Sequence, residues 1–167
     1  GPGIIEARRL VYVIEAIQIL AHLQAISPEE IERMVDWFKD LLDWFQNSPT
    51  GRAATRATNN IAFWYDLQCL SYARFVGNDA LVEKIIRDSL PIRLDEQIEL
   101  DGTMPAELGR AKPQDYVAFT MAALAAISRN GEEHGHEIWS QQTGDGRSFQ
   151  AAHDWLTSLH ESARLRS

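Results

Sequence analysis

The sequence predicts an all-α fold built of antiparallel helical hairpins, and three observations carry that prediction. No segment alternates apolar and polar residues with a convincing period of two, whereas apolar residues recur at helical spacing along most of the chain. Start signals for helices, Ser27-Pro28-Glu29-Glu30, Asn59-Asn60 and Pro113, stand directly before those periodic stretches. Strongly apolar helices alternate with amphipathic ones, as inner and outer partners of hairpins do.

From Glu6 to about Gln24, Leu10, Val13, Ile14, Ile17 and Ala21 repeat at helical spacing, with Arg8, Glu15, Gln18 and His22 as a narrow polar stripe, which predicts a largely buried helix. Ser27 as N-cap, Pro28 in the first turn and Glu30 as capping-box glutamate open the next, which runs to about Asn47. Its face of Ile31, Met34, Val35, Phe38, Leu41, Leu42 and Phe45 opposes Glu32, Asp36, Lys39, Asp40 and Asp43, so it is an outer helix with one buried side. Trp37 and Trp44 sit seven apart on it, a spacing that suits packing better than a sugar-stacking strip. Ser48-Pro49-Thr50-Gly51 reads as a turn leading into a loop that carries Arg52 and Arg56 with no acid beside them. A central helix follows from about Asn59 to Val76, closed by Gly77 and Asn78. Between Asn59 and Ser71 its only charge is Asp66, so it belongs inside, with the Asn pair and the two arginines at its mouth.

Leu81, Val82, Ile85 and Ile86 mark a fourth helix in which Pro91 imposes a kink or break, with helix resuming from Ile92 to Ile98. Asp101-Gly102 is a turn, and Thr103 to Ala111 a loop. Pro113 starts a fifth helix with Val117, Met121, Leu124 and Ile127 facing the core and Tyr116 in its first turn, ending at Asn130-Gly131. A short helix to about Trp139, a turn at Thr143-Gly144-Asp145-Gly146 and a last amphipathic helix through Phe149, Trp155, Leu156 and Leu159 complete the chain, with a fraying polar tail after Ala163.

The 167 residues fit one domain with an ordinary apolar core. A net charge of −8 argues against a general nucleic-acid or anionic-membrane partner. No apolar run reaches the roughly 18 residues of a membrane helix, and no secretory signal is present. The opening Gly1-Pro2 has the form of a protease-cleavage scar, which leaves localisation open. The lone Cys69 reads as a reduced core thiol. His134 and His136, in Glu132-Glu133-His134-Gly135-His136-Glu137, are metal-ligand types at a spacing that suits a solvated turn, so neither metal nor cofactor is expected.

Asn59-Asn60-Ile61-Ala62-Phe63-Trp64-Tyr65-Asp66-Leu67-Gln68 resembles the Asn-Asn-His segment and following Trp-Tyr-Asp-x-x-Gln of the alginate lyases, a family of α/α-toroid polysaccharide lyases. Gly3-Ile4-Ile5-Glu6-Ala7-Arg8 is similar to the opening of an inner helix there, and Gln97 to Arg110, with Asp101-Gly102, Pro105, Glu107 and Leu108, to a loop followed by Tyr116. Trp139 and Asp145-Gly146-Arg147-Ser148 match the closing segment. The resemblance implies part of an (α/α) toroid. It also implies further helices before the first one here, forming one cleft wall and supplied by a preceding segment or a second copy of the chain.

It implies β-elimination on a uronic-acid polysaccharide, in which a proton leaves the carbon α to the sugar carboxylate and the 4-linked oxygen departs. That proton is weakly acidic until hydrogen bonds or a positive charge neutralise the carboxylate. Asn60 and Arg110 are the implied carboxylate partners and Tyr116 the implied base, acid or both. Implied substrate contacts are Asn59, Arg52, Arg56, Trp64, Tyr65, Gln68, Glu107 and Arg8. The helix N-terminus near Tyr116 contributes only about 0.3–1 kcal/mol toward a phenolate, so a second positive group is required, and Arg110 is the candidate.

The same residues have structural readings: Asn59 and Asn60 as caps, Trp64 and Tyr65 as core aromatics, Gln68 as an interhelical bond, Arg52 and Arg56 as solvated charges, Glu107 as the holder of Arg110, and Tyr116 as a core tyrosine. The family's catalytic histidine is Ile61 here, which neither takes a proton nor donates a hydrogen bond. Losing a general base costs about 10²–10⁴-fold unless Tyr116 moves the proton both ways. Three explanations fit: a pseudoenzyme, an altered variant, or a fold reused for other chemistry. The rivals to a lyase are thus a non-catalytic glycan-binding or interaction module and a biosynthetic enzyme taking a small-molecule ligand in the pocket around Ile61, Trp64 and Tyr65.

Overall fold

The computed structural model describes residues 3–164, with side chains described as far as Leu159. Three strongly apolar helices run parallel to one another and are each followed by an antiparallel outer partner. The inner helices are α2 (Leu10–His22), α5 (Asn60–Phe75) and α9 (Pro113–Glu132), and the outer ones are α3 (Pro28–Asn47), α7 (Leu90–Gln97) and α10 (Phe149–Arg164). Short helices fill the connections: α1 (Ile4–Ala7), α4 (Pro49–Thr55), α6 (Asp79–Lys84) and α8 (Pro105–Leu108). Contacts fix the directions. Trp64 meets Phe119 near the start of α5 and α9, while Arg74 reaches Asn130 and Glu133 near their ends. Phe38 packs on Phe75 and Phe45 on Tyr65, so α3 runs against α5. This is the hairpin order of an (α/α) toroid. Among the described residues there is no strand, only an isolated bridge between Gln142 and Ser148, and no helix is long and apolar enough to cross a membrane.

The central helix is inside because its sequence leaves it nowhere else to go. From Ala62 to Ala73 every residue of α5 is buried. Its one acid, Asp66, is held by Arg93 of α7 at 2.9 Å. Burial pushes the Asp66 carboxyl up, and the Arg93 hydrogen bond pulls it back down. Burial likewise pushes the Cys69 thiol and the Tyr65 and Tyr72 phenols far above their ordinary values, so these are packing groups.

Several elements differ from the sequence expectation, each for a local reason. The first helix breaks at Arg8–Arg9 into α1 and α2. Although α2 is apolar almost all round, it presses only one face on its neighbours: Val11, Ile14 and Ile17 are buried, while Tyr12, Val13, Ile19, Leu20 and Leu23 are exposed. The predicted arginine loop is helical, because Ser48 and Pro49 repeat the N-cap and first-turn proline of Ser27 and Pro28. The Ser48 hydroxyl accepts from Gly51 N at 3.0 Å, and Gly51 packs so tightly on α3 that a Cβ would lie 1.6 Å from the Phe45 carbonyl oxygen.

Before Pro91 the helix widens into a π-turn over Ile85–Ser89, with Leu90 N bonded to Ile85 O, so the chain passes the proline without stopping. Likewise α9 runs through Gly131, where a Cβ would meet Ile138 Cδ1 at 2.2 Å, and the predicted short helix toward Trp139 is absent. In that segment His136 Nε2 meets Glu83 at 2.7 Å, and the Asn130 carbonyl lies 3.2 Å from His134 Nδ1. The last loop is tied down by Arg147, which donates to the carbonyls of Asp95 at 2.8 Å and Ile98 at 3.1 Å. The tail expected to fray includes residues 165–167, which lie outside the described residues, as do Gly1 and Pro2, the expected cleavage remnant.

Candidate active site

The N-termini of α5 and α9 share one end of the bundle, and most of the candidate residues gather there. Asn59 is the N-cap of α5, its Oδ1 accepting from Ile61 N at 3.1 Å. Asn60 begins the helix, where backbone N–H groups have no intrahelical acceptor. Glu107 of α8 supplies one: its Oε1 accepts from Asn60 N at 2.5 Å, and both carboxylate oxygens lie 3.0 Å from Asn60 Nδ2. Glu107 is 1% exposed and Asn60 4%. A carboxylate at this position also meets the positive end of the α5 dipole. Pro105 in the first turn of α8 sets the short helix that aims it, and Thr120 of α9 closes the same niche.

Three residues after Glu107, Arg110 turns the chain, its backbone N donating to Glu107 O at 3.1 Å. Its exposed guanidinium lies over the ring of half-buried Tyr116, 4.2 Å from the centroid. A guanidinium stacked by its face keeps its edge N–H groups available for a planar anion. One turn further along α9, Phe119 packs on Trp64 with centroids 4.8 Å apart, and Arg8 lies over both rings, 5.4 Å from Phe119 and 6.0 Å from Trp64. Arg8 is oriented by a 2.7 Å bond from its Nη1 to Ile5 O. Trp64 Nε1 is buried with no partner among the described residues.

Asn60 with Glu107, Arg110 with Tyr116, and Arg8 with Trp64 and Phe119 are thus three contacting groups at this end of the bundle. Gln68 and Tyr65 do not open onto it. Gln68 is fully buried and its amide is spent on the fold, with Nε2 donating to Ile4 O and Trp64 O at 2.9 Å each and Oε1 accepting from Tyr72. Tyr65 is buried against α3, its hydroxyl 3.3 Å from Phe45 O. Arg52 is exposed on α4 and donates to Asn47 O, and Arg56 is exposed at the C-terminal end of α4. Ile61 is half-buried and packs on the core. Glu107 holds Asn60 rather than Arg110. Phe119 was missed, although its position three residues after Tyr116 places it on the same helix face.

The Glu107 contact fixes what Asn60 can offer. With Nδ2 turned to the carboxylate, the atom of the Asn60 amide without that partner is Oδ1, an acceptor. The amide orientation follows from this network, since two acceptors would not be set against each other.

The alginate lyase family matches residues 1–163 of this sequence. The chain belongs to the alginate lyase family. Its fold matches the crystal structure of an alginate lyase from Bacteroides ovatus, determined at 1.60 Å resolution, with a TM-score of 0.88 and 32% sequence identity over 92% of this chain and 40% of that one. This alginate lyase family chain therefore spans less than half the length of that relative. No curated protein matches it.

Proposed function

We propose that this chain carries the elimination half of a uronate lyase site, with Tyr116 moving the proton and Arg110 binding the sugar carboxylate. The stacking of Arg110 on Tyr116 at 4.2 Å is the observation that supports this most. The phenolate oxygen takes the proton from the carbon α to the carboxylate. The electron pair left there forms the double bond as the 4-linked oxygen leaves, and the departing oxygen takes the proton back from the phenol. Charge that builds on the carboxylate in the transition state meets the edge of the guanidinium, a preorganised donor that needs no rearrangement. In this reading Arg110 carries the carboxylate, and buried Asn60, tied to Glu107, fixes the start of α5.

Ile61 favours a second reading, in which the site binds polyuronate without cutting it, because no titratable group stands at the position of the family's histidine. The two separate on one pair of measurements with alginate and other polyuronates. An eliminating protein raises ultraviolet absorbance as the unsaturated sugar accumulates. A binder is retarded in polyuronate-containing gels without that rise, and a protein that does neither overturns both readings.

A further inference from the structure

The exposed side of α2 is patterned as regularly as its buried side. At about 100° per residue, buried Val11, Ile14 and Ile17 share one side of the helix, and Tyr12, Val13, Ala16, Ile19, Leu20 and Leu23 occupy an arc of about 120° opposite them. All six are exposed, Tyr12 by 61%, Ile19 by 60% and Leu23 by 66%. The arc carries no charge between Tyr12 and Leu23, although the chain has a net charge of −8. Glu15 lies off it, paired with Arg129 of α9, and Gln18 and His22 fall on that same polar flank. On the other flank Val13 adjoins a groove shared with Leu10, Met34 and the exposed Trp37, whose charged lining residues are Glu30 and Arg33 of α3. A contiguous apolar stripe of this length is uncommon on a surface that meets only water.

The spacing of the stripe indicates its partner. Tyr12, Ala16, Ile19 and Leu23 are separated by four, three and four residues, the alternation with which one helix presents a seam to another. The series reads the same from either end, so its own copy laid antiparallel matches it. We infer that α2 is a self-association surface, on which a second copy of this chain docks through its own α2 about a twofold axis, the commonest symmetry of soluble oligomers. Tyr12 then lies against the partner's Leu23, and Ile19 against the partner's Ala16, where the small side chain lets the two backbones approach. An uncharged face is where two chains of net charge −8 can meet without setting carboxylates against each other. Arg9, exposed on the same arc one turn before Tyr12, comes to the C-terminal end of the partner helix, whose carbonyls favour a cation. The stripe and Trp37 offer on the order of 500 Å² of apolar surface per copy, below the roughly 800 Å² of a standard interface, so the association is micromolar rather than obligate. The surface uses no residue of the proposed uronate chemistry and is tested apart from it.

The test is sedimentation equilibrium of the whole chain from about 1 to 500 µM, which should show monomer–dimer exchange with a micromolar midpoint. The melting temperature should rise with protein concentration over the same range. Ile19→Glu, at an exposed position that leaves the core untouched, sets an unpaired charge in the seam and should weaken the dimer by at least about 100-fold with the helical circular dichroism unchanged. Leu100→Glu, an equally apolar change at an exposed position off α2, should dimerise like the parent. A short thiol crosslinker should join Tyr12→Cys to Leu23→Cys when the two variants are mixed and join neither to itself, since the native Cys69 is buried. A chain that stays monomeric at about 500 µM overturns the inference, including one whose α2 face takes up lipid vesicles instead. So does a dimer that survives Ile19→Glu, or crosslinking of each cysteine variant only with itself.

Discussion

Replacing Glu107 probes how the site end of the bundle is held, and its cost can be worked from the contacts. In Glu107→Ala the backbone N–H of Asn60 and its Nδ2 both lose their acceptor inside a niche where Asn60 is 4% exposed. A buried donor left unmade costs about 1–3 kcal/mol. Relief from burying a carboxylate offsets part of this, and the cavity left by the side chain adds to it. The net is about 3 kcal/mol, which for a chain of this size lowers the melting temperature by about 6–12 °C. Glu107→Gln keeps one acceptor for the backbone N–H but turns an amide donor against Nδ2. Rotation of the Asn60 amide relieves that conflict, so this variant costs about 1 kcal/mol. Thermal and urea unfolding followed by circular dichroism give both values. If the alanine variant unfolds within about 0.5 kcal/mol of the parent, or the glutamine variant is the more damaged, the proposed anchoring of α5 by α8 is wrong.

Three further outcomes follow from the fold. Gly51→Ala should destabilise by about 3 kcal/mol or more, because the new Cβ meets a backbone carbonyl at 1.6 Å, whereas Gly144→Ala, with nothing within 4 Å, should melt like the parent. Arg93→Met should cost about 3–5 kcal/mol by stranding Asp66, and adding Asp66→Leu should recover most of that loss; additive losses in the double variant would refute the pairing. Glu30, in the capping box of α3, is held below its ordinary 4.5 by the Ser27 backbone N–H and then the Ser27 side chain. A lowered carboxylate stabilises above its unfolded value and loses that contribution as pH falls through the folded one, so melting temperature should decline less steeply below pH 4.5 in Glu30→Gln than in the parent. Identical acid slopes would refute this.

What the sequence revealed of the fold came from periodicity and caps. The central helix is legible because Asp66 is its sole charge before Arg74, and its burial follows directly. Pro28 and Pro113 mark helix starts correctly, but the same signal at Ser48-Pro49 was outweighed by Gly51, a residue present for close packing rather than for a turn. Gly131 misled in the same way, since its missing side chain makes room for Ile138 inside a continuing helix. The exposure of α2 was not legible, because an apolar stripe records which residues avoid water without recording how many neighbours are present to cover them.

At the site, the residue types were legible and their partners were not. Glu107 and Asn60 are 47 positions apart, and no local pattern joins an acid on a four-residue helix to the start of another. The stacking of Arg110 on Tyr116 spans six residues across a turn and a helix start, so it depends on how α8 hands the chain to α9. Gln68 and Tyr65 lie in the same segment as Asn60, yet helical rotation carries them to the Ile4 carbonyl and to α3.

The most direct trial of the proposed chemistry is the ultraviolet absorbance of unsaturated uronate formed from alginate by Ile61→His, by Ile61→His with Tyr116→Phe, and by the parent. Restoring the histidine should raise the elimination rate by about 10²–10⁴-fold, and removing the Tyr116 hydroxyl should erase that gain. A rate that fails to rise with histidine, or a gain that survives the loss of the Tyr116 hydroxyl, would contradict the assignment of Tyr116 and Arg110 to uronate elimination.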